Sequence, residues 1–110
     1  MTRDQARRVL GLVGLGVRAR NATVGVEQVR AAAKKGTLVL VLVASDAAEN
    51  SLDKLLPLMR ARHIPTIEGL AAAELGTAAG RVQTAAIGIV DRSLAKGILG
   101  VVETGAVGPT

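Results

Sequence analysis

The run Thr37-Leu38-Val39-Leu40-Val41-Leu42-Val43-Ala44 carries no polar side chain after its first residue. A strand with one face in water alternates apolar and polar residues, whereas a valine-rich run without alternation predicts a strand covered on both faces. The run is far too short to span a bilayer as a helix. It must therefore be enclosed by other parts of the chain, and its flanks show what encloses it.

On the N-terminal side, Ala6, Val9, Leu10, Val13 and Val17 recur at helical spacing from Arg3 onward. Thr2 is placed to cap this helix and Asp4 suits the positive end of its dipole. Gly11, Gly14 and Gly16 weaken it by up to about 1 kcal/mol each relative to alanine, which predicts an end near Gly16. "RNATVG" reads as a turn with a short extended piece. A second helix is predicted over 26–35, with Val26, Val29, Ala32 and Ala33 on its apolar face and Gly36 as its terminator.

Beyond the apolar run, Asp46 and Glu49 have the spacing of a capping box for a third helix that reaches about His63. Leu52, Leu55, Leu56 and Met59 form its buried side, and Pro57 is expected to kink or interrupt it. "IPTIE" predicts a short strand, "LAAAELGTAAG" a short helix ending near Gly80, and "TAAIGIV" another main strand. Asp91 and Ser93 open a last helix through Val101. Alternating helices and covered strands imply helices on both faces of a sheet, an α/β chain built as an α-β-α sandwich. With 110 residues, no internal repeat and no long linker, the expectation is one domain over 1–102 and a flexible tail over 103–110.

Few residues offer catalytic chemistry. The chain has no cysteine, which removes thiol catalysis, disulfides and thiolate metal sites together. His63 is the only histidine and stands where a helix ends and a strand begins, so it reads as a surface or helix-end residue, with no obvious metal cluster and no convincing triad around it. Gly14-Leu15-Gly16-Val17-Arg18-Ala19 matches Gly-x-Gly-x-x-Ala, but a dinucleotide fingerprint follows a strand and opens a helix. Here a helical stripe precedes the glycines, and Asn21 and Gly25 break the stretch where the phosphate-binding helix would have to run. No catalytic residue, metal or cofactor is expected. Arg7 and Arg8 form a twin arginine before an apolar stretch, yet Asp4 lies upstream, Arg18 and Arg20 come directly after it, and three of nine core residues in "VLGLVGLGV" are glycine. An export signal is disfavoured by those flanks, and a cytoplasmic, monomeric protein without a membrane partner is the expectation.

Charge points to a partner. Residues 1–36 hold eight cations against Asp4 and Glu27, a balance of +6, while the remainder balances to −1. One basic face meeting a polyanion accounts for this, as does a solvated basic surface. Phe, Tyr and Trp are absent, so bases cannot stack on aromatic rings, and an RNA partner would be a folded element read by shape, phosphate and base edges. The second helix is the best-equipped element. Gly25 precedes amides able to bind phosphate, Glu27 and Gln28 could meet base edges, and Arg30, Lys34 and Lys35 could hold the backbone.

The order of segments "LVGLGVRARNATVGVEQVRAAAKKGTLVLVLVASDAAEN", "LPLMRARHIP", "AAELGTAAGR" and "IGIVDRSLAKGIL" resembles the kink-turn-binding ribosomal-protein superfamily, closest to its bacterial YlxQ branch, over about residues 10–100. The resemblance implies a three-layer sandwich around a mixed, four-stranded sheet and a non-enzymatic module that binds structured RNA of the ribosome or of translation. The site it implies takes in Gly25 to Lys35, Ser45 and Asp46 after the long strand, and Arg81, Val82, Gln83 and Thr84 before the last strand; Arg20, in "RARNATVG", reads as part of the basic approach to that helix. The superfamily's second helix opens Gly-x-Asn-Glu-x-x-Lys, where this chain has Gly25, Glu27, Gln28 and Ala31. General RNA binding is supported by this comparison more directly than kink-turn specificity. An adaptor that binds protein on the same fold is the alternative.

Overall fold

A computed structural model describes residues 1–107, with side chains through Glu103. Helices α1 (Arg3–Arg18), α2 (Val26–Lys35), α3 (Glu49–Ala61), α4 (Ala72–Ala78) and α5 (Arg92–Val107) alternate with strands β1 (Ala22–Val24), β2 (Leu40–Ala44), β3 (Thr66–Leu70) and β4 (Ala86–Ile89). The sheet order is β1-β4-β2-β3. β4 runs antiparallel to both neighbours, and β2 pairs parallel with β3. The sheet is therefore mixed and four-stranded.

Every residue of β2 is buried, as its apolar run requires. Leu40, Leu42 and Ala44 join Val9, Val13, Leu75 and Ile98 on the α1/α4/α5 side. Val41 and Val43 join Val29, Ala33, Leu55 and Met59 on the α2/α3 side. The two-residue repeat of the strand thus feeds two separate cores, one on each face.

Local chemistry accounts for the boundaries. The Thr2 hydroxyl accepts from the Gln5 amide at 3.1 Å while the Gln5 side-chain oxygen accepts from the Thr2 amide at 2.6 Å, a reciprocal cap on α1. Gly36 ends α2 at φ 80, in the left-handed region where glycine carries no steric penalty. α1 passes Gly16 and ends at Arg18, because Gly14 and Gly16 are contact points. A β-carbon on Gly16 would collide with Leu94, and one on Gly14 would lie 3.4 Å from the Ala78 carbonyl. Close helix packing offsets the poor helical propensity of glycine, and the Gly-x-Gly-x-x-Ala motif lies inside that packing.

Three further expectations are revised. α3 is not interrupted at Pro57 but runs through it, and in the helix interior the ring withholds one donor, the one that would meet the Asp53 carbonyl. Asp46 does not cap α3, whose N-cap is Ala48 with no side-chain hydrogen bond. Its Oδ1 accepts instead from the Ala72 amide at 2.8 Å, at the start of α4. The last helix extends to Val107 rather than Val101, through part of the stretch expected as tail; residues 108–110 lie outside the described residues.

Candidate nucleic-acid interface

β1, β2 and β3 all run toward one end of the sheet, and β4 starts there. That end, the loop end, collects the first turn of α2, the β2–α3 loop, the start of α4 and the segment 81–85. Backbone bonds tie these chain-distant pieces together. The Gly25 amide donates to the Ala86 carbonyl at 2.9 Å, Ala44 to Ala85 at 2.8 Å, Ser45 to Leu70 at 2.9 Å and Thr84 to Ala72 at 3.1 Å. Segment 81–85 therefore sits between α2 and α4 as an extension of the sheet.

Gly25 adopts φ 100, ψ 155, a conformation essentially restricted to glycine. It contributes no capping side chain, so the first amides of α2 are left for solvent or a ligand. Gln28 is exposed beside them. Glu27 is flanked by two cations, Arg30 Nη1 at 3.6 Å and Lys54 Nζ at 4.0 Å. These pairs are solvent-exposed and contribute at most about 1 kcal/mol each, but they neutralise the carboxylate that a phosphate would otherwise meet. The Arg30 Nε is buried without a partner, an unspent donor in the same helical turn.

The other wall is set by packing on α4. Gly76 has no side chain to hold segment 81–84 away, and a β-carbon there would strike the backbone of Val82 and Gln83. The Arg81 amide donates to the Gly76 carbonyl at 2.7 Å. The Thr84 hydroxyl, buried, donates to the Ala86 carbonyl at 3.2 Å. Val82 is left 90% exposed at the tip, beside exposed Arg81 and Gln83. Between this segment and the β2–α3 loop lies a cleft of about 360 Å³ bordered by Asp46, Ser51, Gln83 and Thr84.

The fold thus brings together Gly25, Glu27, Gln28, Arg30, Ser45, Asp46 and Arg81 to Thr84. It does not bring Arg20, Lys34 and Lys35 to the same place. Lys34 and Lys35 occupy the last turn of α2, about 12 Å along the axis from Glu27. Arg20 lies in the α1–β1 turn, next to Asn21, whose carbonyl accepts from Val90 at the far end of β4. Sequence reasoning missed Lys54, which only the packing of α3 on α2 delivers. No local motif marks it.

No group of three or more histidine or acidic side chains suited to a metal occurs among the described residues. No helix among them is long and apolar enough to cross a membrane.

Residues 7–98 match the model of the ribosomal protein L7Ae/L30e/S12e/Gadd45 family. A protein of unknown function from Bacillus halodurans C superposes with a TM-score of 0.81 at 31% identity, over 87% of this chain and 97% of that one. The Giardia lamblia 15.5kD RNA binding protein superposes with a TM-score of 0.77 at 19% identity, over 97% of this chain and 92% of that one. No curated protein matches the sequence.

Proposed function

Because the chain belongs to the ribosomal protein L7Ae/L30e/S12e/Gadd45 family, whose members bind RNA and are not enzymes, we propose that it binds structured RNA through its loop end. The observation that carries this reading is the convergence there of α2's uncapped amides, Gln28 and segment 81–84, fixed by backbone hydrogen bonds from three strands. The Giardia protein of the same fold is itself named an RNA-binding protein.

In this reading the α2 amides and Gln28 supply polar contacts, while Arg30, Lys54 and Arg81 neutralise phosphates. Arg30 and Lys54 supply positive charge beside α2 where Ala31 supplies none. Segment 81–84 closes on the RNA from the other side, with Val82 giving an apolar contact in place of an aromatic platform. A kink-turn is the proposed element, the ribosome or translation the proposed setting, and a monomer in the cytoplasm, in the YlxQ-like branch, the proposed form.

Competition between a kink-turn hairpin and a plain duplex of equal length tests this. Binding should favour the hairpin, weaken linearly in log–log salt plots, and fall when Gln28→Ala or Arg81→Glu is introduced. Undetectable binding at low salt, or binding indifferent to both substitutions, would overturn the proposal.

A further inference from the structure

The loop end is not where this chain is most positive. Glu27, Asp46, Glu49, Asp53 and Glu74 lie there against Arg30, Lys54, Arg81 and Arg3, the last paired with Glu74 at 3.8 Å. The opposite end, the turn end, gathers the C-termini of α1, α2 and α3 and the start of α5. Arg18, Arg20, Lys34, Lys35, Arg62, Arg92 and Lys96 are all exposed there, and none has an ion-pair partner among the described residues. The one carboxylate in these turns, Asp91, accepts from the Leu94 amide at 2.8 Å as the cap of α5.

Helix electrostatics explain part of this. Arg18, Lys34 and Lys35 sit in last turns, where the dipole favours cations. Arg92 and Lys96 do not fit that account. They stand in the first two turns of α5, where the dipole disfavours positive charge, and that first turn holds no acidic residue.

Both border a groove of about 710 Å³ between α5 and the α3–β3 turn. Arg62 and His63 form its other lip, with Glu103 toward one end. Its apolar lining includes Val39, Ile64, Pro65 and Leu99. The α3–β3 lip is fixed: Arg62 Nη1 donates to the Ala33 carbonyl at 3.2 Å, and His63 turns the chain at φ 54. Cations on two lips above an aliphatic floor match a nucleic-acid strand held through its backbone, with phosphates neutralised at the lips and sugar faces against the floor and no base stacking required.

We infer that this groove is a second RNA-contacting surface, which holds a strand extending from the RNA element bound at the loop end. The inference rests on the RNA-binding reading above. With the molecule 38 Å in its longest dimension, one RNA reaching both ends would gain affinity by linkage rather than by a stronger single contact.

The probes are a kink-turn hairpin with a single-stranded tail long enough to span the molecule, and the same hairpin without a tail. The tailed RNA should bind more tightly. Arg92→Glu with Lys96→Glu should lower its affinity about tenfold and its salt slope by about 1.5, at 0.7–0.9 per lost phosphate contact, and leave the untailed hairpin unchanged. The double variant should melt no lower than the parent, because glutamate suits the start of α5; a Gln pair at the same positions provides the check should it misfold. The chain lacks cysteine, so Ser93→Cys carrying iron–EDTA reports directly, and radical cleavage should map to the tail. Equal affinity for the two RNAs, insensitive to the double variant while Arg81→Glu weakens both, overturns the second surface and leaves the loop-end reading standing. Failure of both RNAs to bind at low salt removes both. If polyglutamate occupies the groove and the tail does not, the surface serves an acidic protein and the assignment to RNA is overturned.

Discussion

Gly76→Ala and Gly11→Ala are the same substitution in two helices, and the structure predicts opposite signs. In a helix interior alanine is favoured over glycine by about 0.8–1 kcal/mol. At Gly11 nothing lies within 4 Å of the added carbon, so that gain should appear in full. At Gly76 the carbon would lie 2.6 Å from the Gln83 nitrogen and 2.8 Å from the Val82 carbonyl carbon. These are backbone atoms that cannot rotate aside, so segment 81–84 must move bodily. Because the obstructing atoms are backbone, the cost belongs in the upper part of the roughly 1–3 kcal/mol range for overpacking, about 2–3 kcal/mol, and subtracting the helical gain leaves a net loss of about 1–2 kcal/mol. For a domain of this size that is a fall in Tm of roughly 5–15 °C, against a rise of a few degrees for Gly11→Ala. Without Trp or Tyr the chain has almost no intrinsic fluorescence, so far-ultraviolet circular dichroism or calorimetry is the assay. If Gly76→Ala melts at or above the parent temperature, segment 81–84 does not rest on α4 as described, and the position of the loop-end wall is wrong.

Charge and capping give three more tests. Glu27→Gln frees Arg30 and Lys54 from their shared partner; RNA affinity should rise with a steeper salt slope, and discrimination between hairpin and duplex should fall, as measured by titration at several salt concentrations. Asp46→Ala removes the acceptor of the Ala72 amide and should lower stability by about 0.5–2 kcal/mol, the usual loss for a capping side chain, read by denaturant unfolding. Lys34→Glu with Lys35→Glu places two anions at the negative end of α2, a loss of about 0.3–1 kcal/mol each. It should weaken binding of a tailed RNA more than of a minimal hairpin; an equal effect on both would show that distance from the loop end does not matter.

Elements whose signals are local were legible in the sequence. β2 announces itself through an apolar run without alternation, and α2 through a stripe ended by Gly36, because strand burial and a left-handed terminator act on adjacent residues. Signals that depend on distant partners were not. Asp46 and Glu49 carry the spacing of a local cap, yet Asp46 bonds to an amide 26 residues away, a choice made by the loop packing beside α4. The three residues of β1 are too few for periodicity and become a strand only by pairing with β4. Gly14 and Gly16 read as helix-weakening because propensity is a single-residue property, whereas their effect here lies in what they allow α4 and α5 to approach. The candidate site follows the same rule: the start of α2 stood out in the sequence itself, 45–46 and 81–84 entered only through the family resemblance, and Lys54 and the separation of Lys34 and Lys35 from these segments required the fold.

Charge shows most clearly why position in the fold outranks position in the chain. Counted linearly, the excess sits in residues 1–36, which suggests one basic face around α2. Folding divides those residues. Arg3 pairs with Glu74 at the start of α4, and Arg7 and Arg8 lie in the first half of α1. Arg30 stays at the loop end, where it is engaged by Glu27, and Arg18, Arg20, Lys34 and Lys35 pass to the turn end, where Arg62, Arg92 and Lys96 from the nearly neutral remainder of the chain join them. A helix about 15 Å long carries the two ends of one basic segment beyond the roughly 8 Å screening length of physiological salt. On the proposed reading the two ends attract phosphate independently, with recognition assigned to the shaped but weakly charged loop end and the added salt-sensitive affinity for a longer RNA assigned to the turn end. Removing charge from one should leave the selectivity set by the other intact.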